Sequence, residues 1–235
     1  MSDFLLVHGS GHGAWCWDRV VPALERLGHS ARAIDLPGAG DDPTPHDQVT
    51  LARYAQAVAD AVKGGEVLVG HSAGGYAITA AAELVPDRID RLIYLCAYVP
   101  VPGMTLADRR RSAPSQPLMD AVSVDAGRIA FTVDPAKAAS KFYNDMDETL
   151  AAWAVSKLRP QPIAPQETVV DLRRSPALPR RYIRCMNDQT IPPEFQVTMT
   201  EDWPPDTVTE MPTSHSPFLS DPDGLAAILD RFARD

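Results

Sequence analysis

The sequence predicts an α/β fold, a mainly parallel sheet with flanking helices and an inserted cap, and three observations lead there. Short apolar runs alternate with segments of helical spacing. One run, Val67-Leu68-Val69, ends in Gly70-His71-Ser72-Ala73-Gly74-Gly75 and passes into an Ala-rich stretch. The alternation then lapses from Val99 to about Pro179 before it resumes. With 235 residues, 45% of them hydrophobic, the chain can bury one substantial core. A single domain over 1–235 is expected, with approximately 99–179 as a cap inserted within it.

Taken in order, Phe4-Leu5-Leu6-Val7 is a short apolar run closed by a glycine-rich segment, which suits a buried parallel strand feeding a loop. Trp17, Val20, Val21, Leu24 and Leu27 have helical spacing, and Gly28 supplies a stop. Ser30–Ile34 is the second strand, followed by a proline-rich loop, and Thr50 is placed to cap a helix over Leu51–Val62. The central strand and the helix after Ser72 come next, then a strand over Arg91–Cys96. In the cap, helices are expected at Pro135–Tyr143 and Glu148–Leu158, with no strong buried strand. The sheet resumes with Arg181–Met186 and Thr207–Met211, and a helix over Pro222–Phe232 closes the chain. A cap between two strands covers the carboxyl edge of the sheet, where open α/β folds keep their sites.

Composition narrows the partners. The net charge is −9 and Arg109-Arg110-Arg111 is a lone basic cluster, so nucleic-acid binding is not expected. No apolar run approaches the length of a membrane span, and no basic, apolar leader precedes the first strand, so a soluble, cytoplasmic protein without a membrane partner is expected. Cys16, Cys96 and Cys185 have no metal-type spacing; no metal and no cofactor are expected. A homodimer is left open.

The pattern G-x-S-x-G after a strand and before a helix is a nucleophile elbow, in which small neighbours permit a strained serine. Ser72 is thereby the candidate nucleophile, and the Ala73 N–H at the start of the following helix is a candidate donor to a developing oxyanion. A serine hydroxyl needs a base and a carboxylate that holds the base's tautomer. His215 is the only histidine after Ser72 and follows the last strand; Asp188 ends the strand before it. Asp171, Asp202 and Asp206 are worse placed. The loop after the first strand supplies the second oxyanion donor, Ser10 N–H, while His8 and His12 beside it read as structural. In the cap, Trp153 and Leu158 are the expected pocket wall.

These residues resemble the methylesterase and hydroxynitrile lyase branch of the α/β-hydrolases, which includes methyl salicylate and polyneuridine aldehyde esterases. The likeness rests on Val7-His8-Gly9-Ser10-Gly11-His12-Gly13-Ala14-Trp15 with Trp17, on Leu68–Gly75, and on Asp188–Gln196. It implies an α/β-hydrolase fold, Ser72 as nucleophile, Asp188 as acid, His215 as base, and Ser10 and Ala73 as backbone donors. The branch's lyases carry a threonine after the first motif's histidine and a lysine after the catalytic histidine; here those positions are Gly9 and Ser216. Without that cation a departing cyanide lacks a stabiliser, so serine-dependent hydrolysis of a small, largely apolar carboxylic ester is expected. Lyase chemistry and a ligand receptor that retains the triad are the alternatives. Gly9 and Ser216 are read as pocket positions, and installing Thr and Lys there is expected to favour cyanohydrin cleavage.

Overall fold

The computed structural model describes residues 1–234. Its first half alternates strictly: β1 (Asp3–Val7), α1 (Val20–Arg26), β2 (Ser30–Ile34), α2 (Leu51–Ala61), β3 (Glu66–His71), α3 (Gly74–Leu84) and β4 (Ile89–Leu95). An insertion follows with α4 (Leu106–Arg111), β5 (Val122–Val124), β6 (Ala130–Val133), α5 (Pro135–Phe142), α6 (Glu148–Lys157) and β7 (Gln161–Pro162). The alternation then resumes with β8 (Arg180–Cys185), α7 (Pro193–Thr198), β9 (Val208–Met211), α8 (Pro217–Ser220) and α9 (Pro222–Arg234).

The main sheet runs β2-β1-β3-β4-β8-β9 and every pair is parallel. Successive side chains of a strand point to opposite faces, so each strand feeds two cores. Leu5, Val7 and Leu68 pack with α2 and α3, whereas Phe4, Leu6, Val67 and Val69 pack with α1 and α9. With both faces covered, β3 is buried at all six positions, which is why its centre, Val67–Val69, reads as an unbroken apolar run. From β1 the chain moves outward to β2, while β3 continues to β4 on the other side. The loops after β1 and β3 therefore diverge, and a crevice opens between them at the carboxyl edge. Ser10 and Ser72 stand in those two loops.

Local chemistry sets the helix starts. The Thr50 hydroxyl accepts from Arg53 N at 3.2 Å, as its position ahead of α2 predicts. Asp147 caps α6 by accepting from Leu150 N at 2.9 Å, and Thr105 and Asp108 form a reciprocal capping box at α4.

The structure departs from expectation in several places. The Trp17–Leu27 segment divides into a 3-10 turn over Ala14–Trp17 and the shorter α1, and Leu27 lies exposed past its end. β4 stops at Leu95 because Cys96 takes φ +33°, which breaks the extended backbone. The insertion contains strands after all: β5, β6 and β7 form an antiparallel sheet. They are three, four and two residues long, too short to show a period in sequence. Among the described residues no helix is long and apolar enough to cross a membrane.

Candidate active site

The turn from β3 to α3 is held by backbone bonds that force its geometry. Ser72 N donates to Leu95 O at 3.1 Å, and Ser72 O accepts from Gly75 N at 3.2 Å and Tyr98 N at 3.1 Å. Ser72 consequently sits at φ +54°, a left-handed conformation that costs a non-glycine residue about 1–3 kcal/mol. Only glycine fits beside it at position 74, where a Cβ would lie 2.7 Å from His8 O. This close approach locks the start of α3 against the end of β1.

Asp188 and His215 meet from separate strand ends. Asp188 Oδ2 accepts from His215 Nδ1 at 2.7 Å, and both side chains are buried. The carboxylate is held from all sides: Oδ1 accepts from Thr190 N at 2.6 Å and Ile191 N at 2.9 Å, and Oδ2 also accepts from Gln196 Nε2 at 3.0 Å. Because His215 donates through Nδ1, its Nε2 keeps a lone pair. The backbone of His215 is tied to the elbow, since His71 Nε2 donates to His215 O at 2.9 Å and the two rings are 4.6 Å apart. Sequence reading leaves Gln196 and His71 without roles; Gln196 lies eight positions beyond Asp188, and nothing in its neighbours marks where its amide turns.

The loop after β1 is fixed by two histidines whose tautomers follow from their partners. His8 Nδ1 donates to Gly9 O at 2.8 Å and its Nε2 accepts from Leu36 N at 3.1 Å. His12 Nδ1 donates to Ser10 O at 2.9 Å, so its Nε2 accepts from the Tyr143 hydroxyl, also at 2.9 Å. Burial pushes the His12 imidazole down to about 3 and lowers His8 as well. Both rings are neutral supports of the loop. The insertion holds the same loop through Gln166 Nε2, which donates to Ser10 Oγ at 2.9 Å, and Gln161, whose Oε1 accepts from Gly11 N at 3.1 Å.

Ser10, Ser72 and Ala73 line one cavity, closed by Tyr98, Leu106, Arg110, Leu118, Val122, Phe131, Phe142, Gln166 and Thr190. Most of these wall residues belong to the insertion, and sequence reading names none of them as wall. Four expected pocket positions lie elsewhere. Trp153 is 38% exposed, packs edge-on against Trp15, and borders a surface groove with Asp18 and Leu150. Leu158 faces a different cleft with Thr132 and Pro160. Ser216 is fully buried, with its Oγ unpaired, and is not part of the cavity lining. Gly9 is not part of the cavity lining but lies against the serine: a Cβ there would be 2.6 Å from Ser72 Cβ and 2.9 Å from His71 Nδ1. A side chain at position 9 would therefore press on Ser72 and His71, one of which must shift to admit it.

His71, Cys96 and His215 bring side-chain heteroatoms within 4.8 Å of one another. Each group is engaged through one atom, since His215 Nδ1 bonds Asp188, and both His71 Nε2 and the Cys96 thiol donate to His215 O, while His71 Nδ1 has no partner. The trio reads as a packed support of the His215 loop.

The comparisons with known proteins agree with this architecture. The model of the Alpha/beta hydrolase family matches residues 4–228. The probable esterase PIR7A of Oryza sativa is 33% identical over an alignment of 252 positions that covers 98% of this chain and 96% of that protein. A pyrethroid hydrolase structure from Sphingobium faniae superimposes with a TM-score of 0.88 at 29% identity, covering 99% of this chain and 97% of its own. A polyneuridine aldehyde esterase structure gives a TM-score of 0.87 at 26% identity, covering 99% of each chain. The chain thus belongs to the alpha/beta hydrolase family, in the esterase and methylesterase branch that includes the polyneuridine aldehyde esterase-like proteins.

Proposed function

We propose that this carboxylic ester hydrolase cleaves a small, largely apolar ester through an acyl-enzyme, with Ser72 as nucleophile, His215 as base and Asp188 as the group that orients the base. The observation that carries the reading is the buried 2.7 Å bond from His215 Nδ1 to Asp188 Oδ2, with the lone pair it leaves on Nε2. In the first half-reaction Ser72 Oγ attacks the ester carbonyl carbon as Nε2 takes the hydroxyl proton. The carbonyl oxygen becomes an oxyanion, which the N–H groups of Ser10 and Ala73 hold, and Asp188 stabilises the imidazolium. The C–O bond to the alcohol then breaks, the alcohol leaves with the proton from Nε2, and an acyl-serine remains. Water repeats the sequence: Nε2 takes its proton, the hydroxide attacks the acyl carbon, and the proton returns to Ser72 Oγ as the carboxylic acid departs.

The wall of Leu106, Leu118, Val122, Phe131 and Phe142 supports an apolar substrate body. The free space it encloses is small, about 30 Å³, so binding requires cap side chains to swing aside. Hydrolysis is favoured over cyanohydrin cleavage because Ser216 offers no cation next to the base. The test is hydrolysis of para-nitrophenyl butyrate by the wild type, Ser72→Ala, His215→Ala and the double variant. Each single change should lower kcat by at least about a thousandfold, and the double variant should be no slower than the worse single one. Turnover near the wild-type rate in Ser72→Ala, or rapid cyanide release from mandelonitrile by the wild type, would overturn the proposal.

A further inference from the structure

Of the three consecutive arginines that stand out in the sequence, two are engaged and one is not. Arg109 Nε donates to Val99 O at 3.3 Å, and its guanidinium lies 5.4 Å from the centre of the Phe195 ring. Arg111 pairs with Asp108 at 2.8 Å. Arg110, between them on α4, lines the Ser72 cavity, and its Nε is sealed from water without a hydrogen-bond partner. Among the described residues, every other lysine or arginine of the insertion has an ion pair, a carbonyl or an aromatic ring, as Lys141 has Asp120 and Arg128 has Glu167.

A guanidinium cannot shed its charge to suit an apolar site, so a buried donor on it remains unsatisfied until an acceptor arrives. The nearby carboxylates are not free to serve. Asp108 accepts from Thr105 and Arg111, and Asp188 is surrounded by His215, Thr190, Ile191 and Gln196. Arg110 shares the cavity with Tyr98, whose phenol burial pushes up while the Arg110 charge pulls it back down. Of the other wall residues, Gln166 donates to Ser10 Oγ and the Thr190 hydroxyl to Lys141 O, and the rest is the apolar set above. One fork-shaped cation over a largely apolar chamber matches a ligand with an apolar middle and an anionic end.

We propose that Arg110 is a specificity residue that pairs with a carboxylate on the substrate, so that the preferred ester carries an anionic group separated by an apolar spacer from the scissile carbonyl. This rests on the esterase reading above. The carboxylate can belong to the acyl part, as in the half-ester of a dicarboxylic acid, or to the alcohol part, and the two are told apart by experiment. For the acyl part, kcat/KM is measured for para-nitrophenyl hydrogen adipate and para-nitrophenyl hexanoate, which differ by a terminal carboxylate in place of a methyl. For the alcohol part the pair is para-carboxyphenyl hexanoate and phenyl hexanoate. The preference of the wild type for the anionic member of one pair should fall about 10- to 100-fold in Arg110→Gln and return largely in Arg110→Lys. Equal losses on both members of each pair would make Arg110 a packing residue and overturn the assignment. Binding of the intact adipate half-ester and of para-carboxyphenyl hexanoate to Ser72→Ala, followed by calorimetry, separates this inference from the esterase reading. Weaker binding of either ester in Ser72→Ala/Arg110→Gln than in Ser72→Ala supports the pairing even if turnover fails, and equal binding of both overturns it.

Discussion

Gln196 shows how one buried amide can govern a carboxylate it does not replace. Its Nε2 donates to Asp188 Oδ2 at 3.0 Å and to Ile191 O at 2.8 Å, while its Oε1 accepts from Cys185 N at 2.9 Å. The side chain therefore fastens the acid loop to the end of β8. Gln196→Leu would strand these partners away from water, a loss of about 1–3 kcal/mol per unsatisfied group. It would also let the Asp188 carboxylate turn away from His215. The expected outcome is a kcat lowered at least about tenfold with KM little changed, read from steady-state kinetics beside a urea titration. A stability loss with unchanged kcat would leave Gln196 a purely structural residue. At the same scale, Asp188 and His215 are legible in the sequence because each follows a strand, whereas the crowding at Gly9 is not, since it arises from Ser72 and His71 on another strand.

At the scale of elements, the amphipathic helices and apolar strands are readable because their periods are local. α9 buries Leu225, Ala226, Leu229 and Phe232, the i, i+1, i+4, i+7 face of a helix, against α1 and the sheet. Leu229→Ala should cost about 2–5 kcal/mol by leaving a cavity. Because α9 packs on the side of the sheet opposite α2 and α3, KM for a small ester should stay unchanged. A urea midpoint equal to the wild type's would show that this face is loosely packed. The insertion behaves differently. Its strands β5 and β7 are held by pairing with β6 rather than by their own composition, and β7 even includes Pro162 at its end. Such elements exist only once a neighbour offers hydrogen bonds.

On the scale of the whole molecule, the sheet order places the loops after β1 and β3 on either side of one crevice and buries their histidines beneath the insertion. Burial brings His12 down to about 3, lowers His8, and holds His71 well below its ordinary value. In the unfolded chain each would titrate near 6.5, roughly. Between those values the unfolded state binds more protons than the folded one, so stability is full above about pH 6.5 and declines as the pH falls toward about 3. His12 alone should remove about 2 kcal/mol by about pH 5. Urea midpoints measured at neutral pH and in mild acid should show this decline; a flat profile would mean that the buried rings are protonated in the folded protein.

What the sequence determined by itself is the order of the six main-sheet strands, the strained elbow at Ser72 and the chain positions of Asp188 and His215, because period, glycine placement and strand ends are properties of neighbouring residues. The tertiary structure alone decided which side chains surround Ser72. Gln166 reaches Ser10 across 156 positions, Tyr143 reaches His12 across 131, and Arg110 faces the cavity while Trp153 and Leu158 turn elsewhere. Those contacts depend on how the insertion folds back over the sheet edge, and long-range packing of this kind leaves no periodic trace in the residues that make it.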